Sequence, residues 1–363
     1  MKERTRFWIG LTLVKGIGPV RLNALLEVFG DARTAWLAAP EELRSAGLSD
    51  RLIRRLTAVR HDVDLNKKVE ELERKGVRTL TWEDKAYPDR LRHIPQSPPV
   101  LYLLGQLQPE DDPGVAVVGT RRCTSYGRQA AEETAAVLAR AGITVISGLA
   151  RGIDGTAHRA ALDNGGRTLA VLGSGVDCIY PPEHRGLARE IIRRGAVLSD
   201  YPLGTAPEGI NFPPRNRIIS GLADLVVVIE AGERSGALIT ANYAADQGRD
   251  VFALPGNIYA PKSKGTNQLL RQGAQPLTAP EDILELLDIT RGLDLEPSQQ
   301  VLPANAAEAS LFRVLEREPL HVDEICSRVD LPVSQVTSTL TVMELKGLVQ
   351  KTGRMTYRAR QKK

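Results

Sequence analysis

Cysteine is scarce in this chain of 363 residues: Cys123, Cys178 and Cys326 lie far apart, and no CxxC pair occurs. An odd count without that pairing argues against a disulfide framework and against a zinc site. Long apolar runs are missing too. The stretch from Trp8 to Val14 stops at Lys15, far short of the roughly 18 apolar residues a spanning helix needs. No small-residue cleavage site follows it, so no signal peptide and no membrane partner are expected, and the chain reads as cytoplasmic. Aromatic residues make up only 4% and the net charge is +4, too weak a bias to imply a polyanionic partner unless the basic residues cluster. What remains is the composition of an ordinary folded protein, 42% hydrophobic and 25% charged, long enough for two or three domains.

The character of the chain changes along its length. Residues 1–80 read as helical. Their centre, LVKGIGPVRLNALLEVFG (13–30), gives two short amphipathic helices joined at Gly16-Ile17-Gly18-Pro19, with a fainter echo at 44–56. The glycines allow a sharp turn and close approach of another chain, and Pro19 suits the first position of a helix. Two readings stand: a helix-hairpin-helix (SAM-like) module whose turn at Gly16 and Gly18 holds a DNA phosphate, or a helical bundle without a ligand. Residues 81–112 form a proline-bearing connecting segment closed by Asp111-Asp112-Pro113-Gly114, a strong turn signal.

From 113 to 290 short apolar runs alternate with helical patterns: VAVVG (115–119), ITVIS (143–147), TLAVLG (168–173), AVLSDY (196–201), DLVVVIE (224–230) and DVFALPG (250–256). Continuous apolar strands between helices mean strands buried on both faces, so the expected fold is α/β, a doubly wound (Rossmann-like) parallel sheet. Residues 291–307 read as a linker. Residues 308–363 give three helical patterns and a hairpin turning at Gly353, the layout of a winged helix. Its third helix, from Val333, carries no Arg or Lys before Lys346, which speaks against major-groove reading. The basic tail beyond it, with Lys351, Arg354 and Arg358, either holds phosphates without sequence preference or is a solvated terminus.

Ligands of an open parallel sheet bind beyond the carboxyl ends of its strands. The loops there are rich in Gly and Arg, and they gather Arg121, Arg122, Arg151, Arg215, Arg217, Arg234, Lys262 and Lys264 at one rim. That is the basic cluster the net charge conceals. Enzyme signatures are absent from the same loops. The first reads GTRRCTSYG (119–127) and the second strand ends in Ser147-Gly148, which disfavours a nicotinamide fold. No GxxxxGK[ST] or HExxH occurs, and Leu172 stands where a GxSxG elbow needs Gly. His158 and His184 each lie near an acid, as expected by chance in charged loops. No catalytic residue, metal or cofactor is expected.

These loops resemble, in order, the signature stretches of the DNA-processing protein A (DprA/Smf) family: VAVVGTRRCTSYG, SGLARGID, LGSGVDCIYPPEH, NFPPRNRIISGLADLVVVIEA, SGALITA and GRDVFALPGN. The resemblance spans roughly residues 85–290, with Thr120 where the family usually has Ser and Asp200 where it has Glu. It implies a homodimer that binds single-stranded DNA, protects it and loads RecA onto it during natural transformation, with double-stranded DNA as a further partner to be tested. The PGGxGT-type motif of the related nucleoside-monophosphate phosphoribohydrolases is absent, so that nucleotide-binding enzyme class is the alternative rather than the choice.

The candidate DNA-binding residues follow. Arg121, Arg122, Arg151, Arg215, Arg217, Lys262 and Lys264 would supply charge, and Gly119, Gly148, Gly173 and Gly175 backbone amides. Thr120, Ser174, Asn216 and Ser235 would supply polar side chains, and Phe212 a ring for a base to stack on. Phe212 reads equally as core packing, and Asn216 as a loop-tying amide.

Overall fold

The computed structural model describes residues 4–287, 306–315, 320–329, 331–345, 349–353 and 355–359. The chain divides into two compact units, Met1–Glu285 and Leu286–Lys363.

The first unit opens with six helices: α1 (Thr5–Leu13), α2 (Pro19–Phe29), α3 (Ala32–Leu37), α4 (Pro40–Ser45), α5 (Asp50–Asp62) and α6 (Leu65–Arg74). Local chemistry sets their ends. Asp31 and Asp64 accept backbone N–H groups at the starts of α3 and α6, and Pro19 and Pro40 occupy first helical positions. Trp8, Leu22, Leu25 and Leu56 are buried in a cluster that also takes in Val100, Tyr102, Leu172 and Leu187. The helices and the sheet therefore share one core. The Trp8 ring meets Trp82 edge-on, 5.7 Å between centroids.

The sheet has nine strands in the order β1-β2-β6-β5-β4-β3-β7-β8-β9. The six runs read from sequence are β3 (Gly114–Val118), β4 (Thr144–Ser147), β5 (Thr168–Val171), β6 (Ala196–Ser199), β7 (Leu225–Val228) and β8 (Asp250–Ala253), all parallel. Every residue of β3 through β7 is buried, as a sheet covered on both faces requires. A short β9 (Gln275–Pro276) pairs with β8. On the opposite edge, β1 (Arg78–Thr81) and β2 (Val100–Gly105) run antiparallel beside β6. They come from the end of the stretch read as helical and from the one read as connecting. The apolar run VLYLLG pairs with what would otherwise be an open strand edge.

Between the parallel strands run α8 (Ser125–Arg140), α9 (Ile153–Asp163), α10 (Arg185–Arg194), α11 (Phe212–Leu222), α12 (Gly236–Asp246) and α13 (Lys264–Arg271), with a one-turn α7 (Asp89–Arg92) ahead of β2. The chain winds β3 to β6 in one direction and returns to set β7 against the other side of β3, Val118 opposite Val228. Strand order therefore reverses between β3 and β7, where loops diverge and leave a crevice.

In the second unit, helices Ala306–Leu315, Val322–Arg328 and Val333–Leu345 pack with a three-stranded antiparallel sheet around Leu311, Ile325, Leu340 and Tyr357. This is a winged helix. Arg358 is exposed on its last strand and Lys351 falls within Val349–Gly353, while Arg354 and residues 360–363 lie outside the described residues.

Candidate nucleic-acid interface

The loop after β3 is shaped by a buried acid. Glu230, 3% exposed at the end of the β7 segment, accepts hydrogen bonds from both the amide and the hydroxyl of Thr124. Its own carbonyl accepts the Thr120 amide at 2.8 Å. Thr124 in turn caps α8 by accepting the Gly127 amide. A side chain at Gly127 would run into the Glu230 carboxylate, which explains the glycine. With the loop held from beneath, Arg121 and Arg122 project outward, both exposed.

The second loop leans on the first. Gly152 has φ +73°, and a Cβ there would fall on the Thr120 carbonyl, which accepts the Ile153 amide at 3.3 Å. At the start of α9, Asp154 is buried and its Oδ2 accepts the Ala150 amide. Burial raises the Asp154 pKa and the nearby Arg215 guanidinium opposes the rise.

Arg215 and Arg217 do not sit on the rim where the sequence reading placed them. The Arg215 side chain is buried at 4% exposure. It donates to the carbonyls of Gly148 and Val171 and to Asn216 Oδ1. Burial lowers its pKa to about 10, with Asp154 working the other way. Arg217 donates to the carbonyls of Gln96 (2.9 Å) and Pro214 (2.8 Å) and pairs with Asp200 at 2.8 Å. Three donors committed inside and a side chain 7% exposed leave it poorly placed for the expected phosphate contact. The helix that begins at Phe212 is buried at every residue from Arg215 to Leu222, so the two side chains leave it in different directions and both end inside the protein. Asn216 also faces inward, its amide donating to the Gly236 carbonyl, the loop-tying alternative.

At the switch point lies an open cleft of about 920 Å³. It brings together Gly119, Thr120, Arg121, Arg122, Phe212, Ser235 and Lys262, with Arg215 and Asn216 forming part of its wall. Phe212 is half-buried, 5.9 Å from the Tyr180 ring, with the Arg121 guanidinium 5.3 Å from its centroid and that of Arg215 at 5.7 Å. Two guanidinium groups near a ring that also meets a second ring form a cation–π cluster, a kind of surface on which a base can stack. Gly148 and Arg151 border a small recess beside Tyr180 and Phe212, and Arg151 pairs with Glu183. Ser235 caps α12 by accepting the Ala237 amide.

Other expected residues fall elsewhere. Gly173 packs under Phe212, Ser174 is buried and donates to the Cys178 carbonyl, and Gly175 lies against the Pro202 carbonyl. None of the three lines the cleft. Lys264 pairs with Glu233 at 3.3 Å and does not line the cleft. Gly16 and Gly18 are exposed at their turn, where Arg21 and Arg55 close on the carbonyls of Gly16 and Lys15. Two cleft residues were missed as sites. Arg234 was grouped with the basic rim and left out of the site, and Tyr180 was not singled out. Tyr180 carried a readable signal, since Tyr180-Pro181-Pro182 repeats the pattern of Phe212-Pro213-Pro214. His158 is fully buried, its Nδ1 against Thr168 Oγ1 at 2.7 Å, so its place near an acid in sequence has no chemical meaning. Among the described residues no group of three or more potential metal ligands occurs.

Fold and cleft define a class: a Rossmann-like protein with a cationic, aromatic-lined crevice where its strand order reverses. The sequence profile of the family described as DNA recombination-mediator protein A matches residues 78–288, and that of the DprA winged helix domain matches residues 296–353. Protein Smf of Synechocystis is 36% identical, the alignment covering 98% of each chain, and Protein Smf of Escherichia coli is 37% identical over 91% of this chain and 92% of its own. Among solved structures, DNA processing protein A of Streptococcus pneumoniae matches with a TM-score of 0.70 at 35% identity, over 78% of this chain and 98% of that one. DNA processing protein A of Helicobacter pylori, described for its single-stranded DNA binding mode, matches with a TM-score of 0.53 at 31% identity, over 59% of this chain and 96% of its own. The chain belongs to the DNA recombination-mediator protein A (DprA/Smf) family.

Proposed function

We propose that this chain binds single-stranded DNA in the switch-point cleft without sequence preference, protects it, and loads RecA onto it during natural transformation. The observation that carries the reading is the cleft itself: the Phe212 and Tyr180 rings lie beside Arg121, Arg122, Arg234 and Lys262. No ion pair of these four with a carboxylate occurs among the described residues. Single strands require this combination of phosphate neutralisation and a stacking surface, and the Helicobacter pylori relative is described as binding that ligand. Work in the cytoplasm, a homodimeric state and recruitment of RecA belong to the proposal through the family. No helix among the described residues is long and apolar enough to cross a membrane.

The alternative, a nucleotide-cleaving enzyme, gains nothing from the site. The α12 helix, where that class would carry its motif, buries Ala237, Thr240, Ala241 and Ala244 instead. We therefore read the chain as a binding protein and not an enzyme. Release of free base from a nucleoside monophosphate, lost on unfolding, would overturn that.

The test is a salt titration of oligonucleotide affinity. Four single-strand phosphate contacts at roughly −0.7 each give a slope of about −3 for log K against log salt, equal for different base compositions. A slope near zero, or tighter binding of duplex than of single strand, would refute the assignment. For the RecA step, sub-stoichiometric protein should speed RecA assembly on strands already covered by single-strand-binding protein. Inhibition at every ratio would leave only a protective coat.

A further inference from the structure

The loop after β8 holds two large apolar side chains out in water: Ile258 is 70% exposed and Tyr259 84%. This loop is braced. Asn257 Oδ1 accepts the Tyr259 amide at 2.8 Å, and the Asn267 side chain brackets Gly256, accepting its amide at 3.2 Å and donating to its carbonyl at 3.0 Å. At the start of α8, Tyr126 is 51% exposed and donates its hydroxyl to the Pro255 carbonyl at 2.9 Å. Bracing fixes the loop, yet the Tyr259 ring contributes almost no buried area to the fold. An exposed ring on an ordered loop is pre-paid for a partner.

Two observations say which partner. The loop is continuous with the cleft, because Pro261 and Lys262, next after Tyr259 and Ala260, line it. The cleft it runs into is cationic, with Lys262 of the same loop lining it beside Arg121, Arg122 and Arg234. A flat apolar ring beside cations matches a nucleobase beside its phosphate. We infer that Tyr259 stacks on a base of the strand as it leaves the cleft, with Ile258 and Tyr126 bordering that second platform. The inference rests on the single-strand reading above and extends the footprint beyond Phe212 and Tyr180.

The experiment uses the full chain and three probes: an oligothymidylate of about 6 nucleotides, one of about 20, and a long probe with a central thymidylate block flanked on both sides by abasic sugar–phosphates. Tyr259→Ala is expected to leave affinity for the short probe unchanged and to weaken the long one by roughly tenfold. It should leave affinity for the abasic-flanked probe unaltered, and Tyr259→Phe, which keeps the ring, should retain the long-probe affinity. Equal long-probe affinity for Tyr259→Ala and the native chain overturns the inference and gives the patch to a protein partner. Failure of the native chain to bind any probe overturns the single-strand reading itself, which separates the two.

Discussion

Arg217→Ala and Arg121→Ala change the same kind of side chain in one fold and should have opposite consequences. Arg217 is 7% exposed, and its guanidinium ties the Gln96 and Pro214 carbonyls to Asp200. Truncation leaves Asp200 as a largely buried carboxylate without its cation, with its Oδ1 already lacking a partner. Breaking a buried pair from one side costs about 3–5 kcal/mol, a large share of a typical stability of roughly 5–15 kcal/mol. Arg121 is exposed, with its guanidinium over the Phe212 ring. Its loss should leave stability within about 0.5 kcal/mol and make the salt slope for single strands shallower by about 0.7. Urea unfolding read at equal m-value measures the first effect, and anisotropy titration under folding conditions the second. Arg217→Lys tests the geometry, since an ammonium cannot serve three acceptors in one plane, and it should fall between native and Ala. If Arg217→Ala kept the native unfolding midpoint and lost DNA affinity, its side chain would be a phosphate ligand and the reasoning would fail.

Phe212→Ala should weaken single-strand binding by about 1–3 kcal/mol whatever the base composition, with Phe212→Trp close to native; unchanged affinity would assign the ring to packing alone. Gly152→Ala places a Cβ on the Thr120 carbonyl at φ +73°, and should cost about 1–3 kcal/mol in a denaturant melt. A native midpoint there would mean the two loops are not locked together. Burial holds the His158 pKa down at about 3 against an ordinary 6.5, with His184 and Arg215 adding to the effect. The folded state then refuses a proton that the unfolded chain accepts. Its contribution to stability is complete above the unfolded value and is lost as pH falls from there toward the folded one, by up to about 1.4 kcal/mol per pH unit. His158→Gln should flatten that part of the acid limb in pH-dependent thermal melts, and an identical limb would refute it.

The parallel sheet was legible because VAVVG, TLAVLG and DLVVVIE can be buried on both faces only between helices, and each became a strand within a residue or two. Of the rim, Arg121, Arg122, Arg234 and Lys262 do gather at one cleft, since strand ends in such a fold point one way. What periodicity could not give was which rim cations stay in water. Arg121 lies in a loop braced by Glu230 and Thr124, whereas Arg215 and Arg217 fall in the first two turns of α11, which is buried at every residue from Arg215 onward. That difference depends on the carboxylate and carbonyls that meet each guanidinium, and those come from residues 96, 148, 171 and 200. Likewise β2 reads as an isolated apolar run among prolines until its partner β6 is known.

The buried arginines explain how a site built from loops can be rigid without a ligand. Arg215 joins the end of β5, through the Val171 carbonyl, to the turn after β4, through that of Gly148, and Arg217 fastens the segment after β6 to residue 96. Each guanidinium offers five donors in one plane, so a single side chain can fix carbonyls from loops far apart in sequence. Desolvating a cation is unfavourable and acts against global stability, as the lowered pKa of Arg215 records. For the proposed binding this would be a gain. Loops already ordered would lose little conformational freedom on taking up a strand, and about 0.5–1.5 kcal/mol per side chain that would otherwise be immobilised would be spared. With Arg121, Arg122, Arg234 and Lys262 in the cleft besides Arg215, this pre-organisation would let a cleft of modest charge hold a flexible polymer. It also accounts for two inward-facing arginines in a motif that reads, on charge alone, as a phosphate clamp.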